Sequence, residues 1–342
     1  MILPASSRTL IVAPNWIGDA LLAQPLFARL REQNSALQID VIAPPWTGPV
    51  LARMPEINRV IDAPFAHGEF GLSARWALAR QLKAHHYNRA IVLPNSWKSA
   101  LIPFVAGIPE RVGFTGEARY GLLNVRHHLD KEALPLMAER YAKLAEPPQA
   151  PPYRPLRAST LRIDENNLAT NLSRLGLDRT RPMVAMCPGA EFGPSKRWPV
   201  RHFAALAARL ASQGVAVWLF GSPKDQAVGD EIVSLSNGAC ISLCGRTDLY
   251  GAMDLLSLAR CVVTNDSGLM HMAAALHRPI VALYGSSSAA HTPPLSHRAA
   301  LLSLNLVCSP CFQRECPLGH HKCLEEMLPV LVKQHVDRLS AA

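Results

Sequence analysis

No apolar run in this chain is long enough to cross a bilayer, because Pro, Gly or a charged residue breaks each one before the roughly 20 residues a spanning helix needs. The opening Met1-Ile2-Leu3-Pro4 puts no basic region ahead of the apolar Thr9 to Ala13, and no small-residue cleavage site follows it, so a cytoplasmic protein is expected. Lys/Arg-rich blocks are also missing. The net charge of +9 therefore lacks the local footprint of a nucleic-acid binder and fits anionic lipid or phosphorylated ligands equally well. Neither a Walker loop nor a G-x-G-x-x-G fingerprint occurs, which weakens the common nucleotide-binding readings. Charged residues are only 18% against 49% hydrophobic, a balance that excludes disorder. Eight cysteines in 342 residues do not make a disulfide scaffold, since a chain of this size builds its own core.

What is present is an alternation. Strand-like runs at Thr9 to Ala13, Leu37 to Ala43, Arg59 to Asp62 and Arg89 to Leu93 alternate with helical patterns at Ala20 to Arg31 and Leu72 to Ala84. Pro25 is expected to kink or restart the first of these helices. Glu146 to Pro155 carries too many prolines for helix or sheet interior and reads as a linker near the midpoint. The pattern then resumes, with strands at Met183 to Cys187, Val215 to Phe220, Cys261 to Thr264 and Pro279 to Tyr284 and helices from Val200, Gln226 and Gly268. Alternating strands and helices imply parallel sheets, and the length implies two domains. The expected fold is α/β, with two Rossmann-like doubly wound domains facing each other across a cleft. The boundaries expected are 1–155, 156–323 and a terminal helical segment 324–342.

Ligands of such sheets bind beyond the carboxyl ends of the strands, so the strand-to-helix junctions carry the functional signal. The first is Ala13-Pro14-Asn15-Trp16-Ile17-Gly18-Asp19, where Asp19 begins a helix as either a cap or a base. The second is Pro188-Gly189-Ala190-Glu191-Phe192-Gly193-Pro194-Ser195-Lys196-Arg197-Trp198-Pro199, a Gly-containing loop with two cations just ahead of a helix, suited to phosphates. The third is Thr264-Asn265-Asp266-Ser267-Gly268-Leu269-Met270-His271, where backbone N–H groups at a helix start can hold a diphosphate and Asp266 can accept from a hydroxyl. A further junction, Gly221-Ser222-Pro223-Lys224-Asp225, lies in the same half. Each alone also reads as ordinary capping or a solvated loop; their combination in one half points to a nucleotide site.

These three strings, in order and spacing from about Thr9 to Tyr284 and on through Thr292 to His297, resemble the signatures of the ADP-heptose:lipopolysaccharide heptosyltransferase II family, in glycosyltransferase family 9. The resemblance implies an inverting enzyme of GT-B fold that moves L-glycero-D-manno-heptose from ADP-heptose to the first heptose of a lipid A-linked inner core. It implies Asp19 as general base, Lys196 on the phosphates, and Gly189, Ala190, Asp266, Ser267, Gly268 and His271 around the nucleotide sugar, with Ser222 and Asp225 toward the ribose. Asn15 and Trp16 of the first junction, with the loop residues Asn95, Lys98, Arg111 and Arg119, are candidates to meet the acceptor's acidic groups. Many glycosyltransferases hold a metal with an Asp-x-Asp motif, which this sequence does not contain, so no cofactor is expected for catalysis; Lys196 and the helix start at Gly268 take over the charge. The +9 charge then serves peripheral docking at the cytosolic face of the inner membrane, with no nucleic-acid partner expected. The rivals are a sister transferase with another core acceptor and a basic zinc-binding interaction module.

That last rival arises from Cys308-x2-Cys311-x4-Cys316-x6-Cys323, which opens with a knuckle-like pair. Four thiolates can enclose a structural zinc, with His320 and His321 as substitute ligands; free thiols, disulfides or an iron–sulfur site are the alternatives. Leu324 to Leu339 reads as a helix, which in GT-B enzymes packs back toward the first domain.

Overall fold

The computed structural model describes residues 7–63 and 71–341, so Met1 to Pro4 lie outside the described residues. The chain divides into two compact units, Met1–Ser159 and Thr160–Ala342, four residues beyond the expected boundary and just after the Pro-rich stretch.

In the first unit the strands are β1 (Arg8–Val12), β2 (Gln38–Ala43), β3 (Arg59–Asp62), β4 (Arg89–Val92), β5 (Glu110–Phe114) and β6 (Val125–His127). They form one six-stranded sheet of order β3-β2-β1-β4-β5-β6, parallel at every pairing. The helices are α1 (Ile17–Leu22), α2 (Gln24–Gln33), α3 (Gly48–Ala52), α4 (Leu72–Leu82), α5 (Trp97–Val105) and α6 (Met137–Lys143). Pro25 restarts the first helix as expected: α1 closes at Ala23, which also opens α2, and the proline falls in the first turn of α2, where its missing N–H costs nothing.

The second unit starts with α7 (Glu165–Leu175) and builds a second parallel sheet from β7 (Met183–Cys187), β8 (Ala216–Leu219), β9 (Ile241–Ser242), β10 (Cys261–Asn265), β11 (Ile280–Leu283) and β12 (Ala299–Leu302). Its order is β12-β11-β10-β7-β8-β9. The helices are α8 (Val200–Ala211), α9 (Gln226–Leu235), α10 (Leu249–Leu256), α11 (Gly268–Ala275), α12 (Lys322–Glu325) and α13 (Pro329–Ala341). Strands β7, β10 and β11 are buried along their whole length, the continuous apolar run expected of a sheet covered on both faces.

In each sheet the winding direction reverses once, between β1 and β4 and between β7 and β10. A crevice opens at the carboxyl ends of such a strand pair. The junctions at residues 13–19 in the first unit and at 188–199 and 266–271 in the second flank these reversals, as does the loop after β4 that carries Asn95 and Lys98.

The second core is centred on Trp198, Phe203, Leu206, Leu219 and Val263, all nearly inaccessible. Trp198 stacks on His202 and meets Phe203 edge-on, and its Nε1 donates to the Met327 carbonyl at 2.8 Å. Where the sequence suggests a last helix turned toward the first domain, the structure commits its apolar side to the second core, since Val332 and Val336 of α13 are buried there and the helix packs on α8, β10 and β11. Pro329 at its start also explains why it is separate from α12. Trp198→Ala is expected to lower the unfolding free energy by about 3–5 kcal/mol. Urea denaturation measures it, and a loss under about 1 kcal/mol would contradict this packing.

Candidate active site

Close approach of backbone is what shapes the crevice of the second unit. A Cβ placed on Gly189 would lie 2.6 Å from the Asp225 carboxyl group, and one on Gly221 would lie 2.8 Å from Asp225 Cβ and 2.9 Å from Cys244 Sγ. Only glycine lets the ends of β7 and β8 close on each other here. Asp225 Oδ2 accepts from Ser222 N at 2.9 Å and from Ser222 Oγ at 2.8 Å, so the Ser222–Asp225 pair closes its own turn. Ala190 is buried in the same wall.

Across the crevice, Lys196 Nζ lies 2.5 Å from Asp266 Oδ2, with the lysine side chain 18% exposed and the aspartate 5%. The lysine comes from the short turn Pro194–Lys196 and the aspartate from the residue after β10. Asn265, which sequence reading passed over, ties the two together. Its side chain is fully buried, its Nδ2 donates to the Pro188 carbonyl at 2.7 Å, and its Oδ1 accepts from Trp198 N at 3.0 Å. One amide therefore pins both ends of the loop that carries Lys196. The signal was an asparagine closing the apolar run Val262-Val263-Thr264.

Ser267 opens α11 in an extended conformation without a side-chain cap hydrogen bond, so its hydroxyl does not close the positive end of the helix. His271, on the first turns of α11, is buried and its Nδ1 has no hydrogen-bond partner. Burial pushes its imidazole down to about 4, opposed by Asp266 and reinforced by Lys196, so the ring is neutral near pH 7. Gly189, Ala190, Lys196, Asp266, Ser267, Gly268 and His271 thus line the ends of one adjacent strand pair, while Ser222 and Asp225 stand at the neighbouring strand end, held by each other.

In the first unit, Asp19 occupies the third position of α1. It faces Tyr141 of α6, whose phenol is raised well above its ordinary value by burial first and by the Asp19 charge second. Trp46 Nε1 donates to the Asn15 carbonyl at 2.7 Å and fixes the turn ahead of α1, leaving Trp16 half exposed. Asn95 and Lys98 follow β4, the strand beside β1, so four of the six candidate acceptor residues, Asn15, Trp16, Asn95 and Lys98, come to the same end of the sheet as Asp19. Arg119 and Arg111 do not present charge as expected. Arg119 is buried, donating to the carbonyls of Pro94 and Phe114 and to Asn95 Oδ1, and Arg111 donates to the carbonyls of Leu122 and Ile108. Both are braces for loops.

Cys308, Cys311, Cys316 and Cys323 line one pocket with Ser195, Ser286, His320 and His321. Backbone N–H groups, that of His321 foremost, hold the Cys316 thiol below its ordinary value. Burial and the neighbouring thiols push Cys323 up. Among the described residues, no three His, Cys, Asp or Glu side chains are grouped to hold a metal ion. The segment does brace the phosphate-type loop: Ser195 N donates to the Arg314 carbonyl at 3.2 Å, and Ser195 Oγ to the Gln313 carbonyl at 2.5 Å.

A second buried imidazole, His127, is also pushed down to about 4, by burial and then by Lys143, and both its ring nitrogens lack partners. His127 and His271 are uncharged in the folded chain until about pH 4 but take up protons near 6.5 when unfolded. Their stabilising effect is complete above about pH 6.5 and is lost as the pH falls toward 4. Lowering the pH from 7 to 5 is expected to cost about 1–2 kcal/mol for each, read as a falling urea midpoint. His127→Gln with His271→Gln should flatten that dependence, and an unchanged slope would contradict it.

The pattern described as glycosyltransferase family 9 (heptosyltransferase) matches residues 75–322. Lipopolysaccharide heptosyltransferase 2 of Escherichia coli K12 is 44% identical, covering 97% of this chain and 98% of its own length. Lipooligosaccharide heptosyltransferase 2 of Haemophilus influenzae is 42% identical over 97% of this chain and 99% of its own length. Among solved structures, E. coli ADP-heptose lipopolysaccharide heptosyltransferase II superposes with a TM-score of 0.88 at 42% identity, over 98% of each chain. A family 9 glycosyltransferase from Veillonella parvula shares the fold at a TM-score of 0.86 and 22% identity, covering 100% of this chain and 99% of its own length. With its two parallel α/β sheets, its paired strand-end junctions and this full-length similarity, the chain belongs to glycosyltransferase family 9, the heptosyltransferases.

Proposed function

We propose that this enzyme transfers L-glycero-D-manno-heptose from ADP-heptose to the first heptose of the lipid A-linked lipopolysaccharide core, with inversion. The observation that carries the reading is the Lys196–Asp266–His271 group at the winding reversal of the second sheet, in a chain 44% identical end to end to a lipopolysaccharide heptosyltransferase 2. The same full-length match disfavours a zinc-binding interaction module, which needs neither sheet.

The chemistry assigns each group a task. The acceptor hydroxyl oxygen forms a bond to the anomeric carbon while the bond from that carbon to the β-phosphate oxygen breaks. Asp19 takes the hydroxyl proton. It sits on α1 in the first unit, whereas the donor groups sit in the second. ADP departs with negative charge growing on its diphosphate. Lys196 and the N-terminal end of α11 stabilise that charge where it develops, the kind of preorganised electrostatics that lowers barriers most. A neutral His271 can donate one N–H to the same ligand without adding charge. We propose that this set works without a catalytic metal.

Acceptor contact falls to Asn15, Trp16, Asn95 and Lys98. Among the described residues no helix is long and apolar enough to cross a membrane. Peripheral docking on the cytosolic face, favoured by the +9 charge, is the proposed route to a lipid-linked substrate.

The test is incubation with ADP-heptose and mono-heptosylated Kdo-lipid A in the presence of EDTA, with product mass as readout. A gain of one heptose is expected, and Asp19→Asn should slow turnover by roughly 10²–10⁴-fold while leaving ADP binding in place. Product formed only from a different core acceptor would reassign the position. Full activity of Asp19→Asn would remove that residue as the base.

A further inference from the structure

The donor site as described is short of positive charge. Lys196 is paired with Asp266 at 2.5 Å, so together they bring little net charge to a diphosphate. The neutral ring of His271 adds none. Of the neighbouring cations, Lys224 stands 2.5 Å from Glu191, and Arg197 turns Nη2 to the Ala190 carbonyl at 3.4 Å while its buried Nε has no partner. A leaving group with more than one negative charge calls for another cation.

Arg314 meets the need from an unexpected direction, the cysteine-bearing segment. Its Cζ lies 5.6 Å from the Phe192 ring centroid, and Lys196 Nζ lies 5.0 Å from the same centroid. Both cations thus gather on one aromatic ring of the loop after β7. Among the described residues the guanidinium has no ion-pair partner, and the side chain is exposed. The backbone beneath it, by contrast, is fixed. The Arg314 carbonyl accepts from Ser195 N at 3.2 Å, the Gln313 carbonyl accepts from Ser195 Oγ at 2.5 Å, and Phe312 N donates to the Ser286 carbonyl at 2.7 Å. Gly193 has no room for a side chain: a Cβ there would fall 2.5 Å from the Arg314 carbonyl oxygen. The loop after β7 and the segment carrying Arg314 are built to touch.

We propose that Arg314 is a second phosphate-binding cation of the donor site, gripping the diphosphate of ADP-heptose together with Lys196. This rests on the donor-site reading above. It assigns the 308–323 segment a task in the reaction, which is to place a planar, bidentate donor beside the lysine.

Calorimetric titration with ADP and with adenosine tests the assignment on the unaltered chain, Arg314→Gln, Arg314→Lys and Lys196→Ala. Arg314→Gln is expected to weaken ADP binding about tenfold or more, the scale of a lost charge-assisted hydrogen bond, and to leave adenosine binding unchanged. Arg314→Lys should fall between the two, since it keeps the charge and loses the fork. The salt dependence of ADP binding should be shallower in Arg314→Gln. Equal ADP affinity in Arg314→Gln and the unaltered chain, or equal loss of ADP and adenosine, overturns the role of Arg314 alone. Failure of the unaltered chain to bind ADP overturns the donor-site reading and this inference with it.

Discussion

A lysine ammonium held against a nearly buried carboxylate is a costly object, because both charges have left water and only their mutual attraction repays that loss. A well-packed apolar pair in place of Lys196 and Asp266 would stabilise the fold at least as well. The pair persists at the one place in the second sheet where the winding reverses and the strand ends part, with a helix start and a neutral imidazole beside it. Much of the local architecture serves to hold those two side chains. Asn265 spends both ends of a buried amide on the loop that carries Lys196, Trp198 anchors the far end of that loop in the core, and Gly189 and Gly221 let the adjacent strand ends close.

The first unit repeats the principle with lighter means. Its winding also reverses once, beside β1, and the turn there is fixed by Trp46 through the Asn15 carbonyl. Asp19 stands in the first turn of α1, facing the buried Tyr141 of α6. Arg111 and Arg119 spend their donors on backbone carbonyls of the surrounding loops, so their guanidinium groups shape this edge and leave charge recognition to other residues.

The architecture was largely legible in the sequence because apolar runs of strand length alternate with helical periodicity, and Pro25 and the proline-rich stretch act through backbone rules that need no tertiary context. The strand-end junctions were legible for the same reason: glycine, acid and base residues stand where a strand gives way to a helix. Less legible were β6 and β9, three and two residues long, too short to show a period. Asn265 was missed because its partners lie 77 and 67 positions away, and the buried state of Arg119 because carbonyl acceptors leave no mark in a sequence. The last helix reads as an amphipathic segment whichever surface it covers, so only the structure shows its apolar side in the second core. Spacing alone suggests four metal-ligating cysteines; the structure shows one shared pocket whose outer segment leans on the loop of Lys196.

The proposed donor site depends on Lys196 and Asp266 acting as one coupled unit. A double-mutant cycle of Lys196→Ala and Asp266→Ala, read as the free energy of ADP binding by calorimetry, measures it most directly. Strong coupling is predicted, above about 1 kcal/mol between the two substitutions. Additive effects within about 0.5 kcal/mol would mean that the two residues contact the ligand independently or not at all, and would contradict the account.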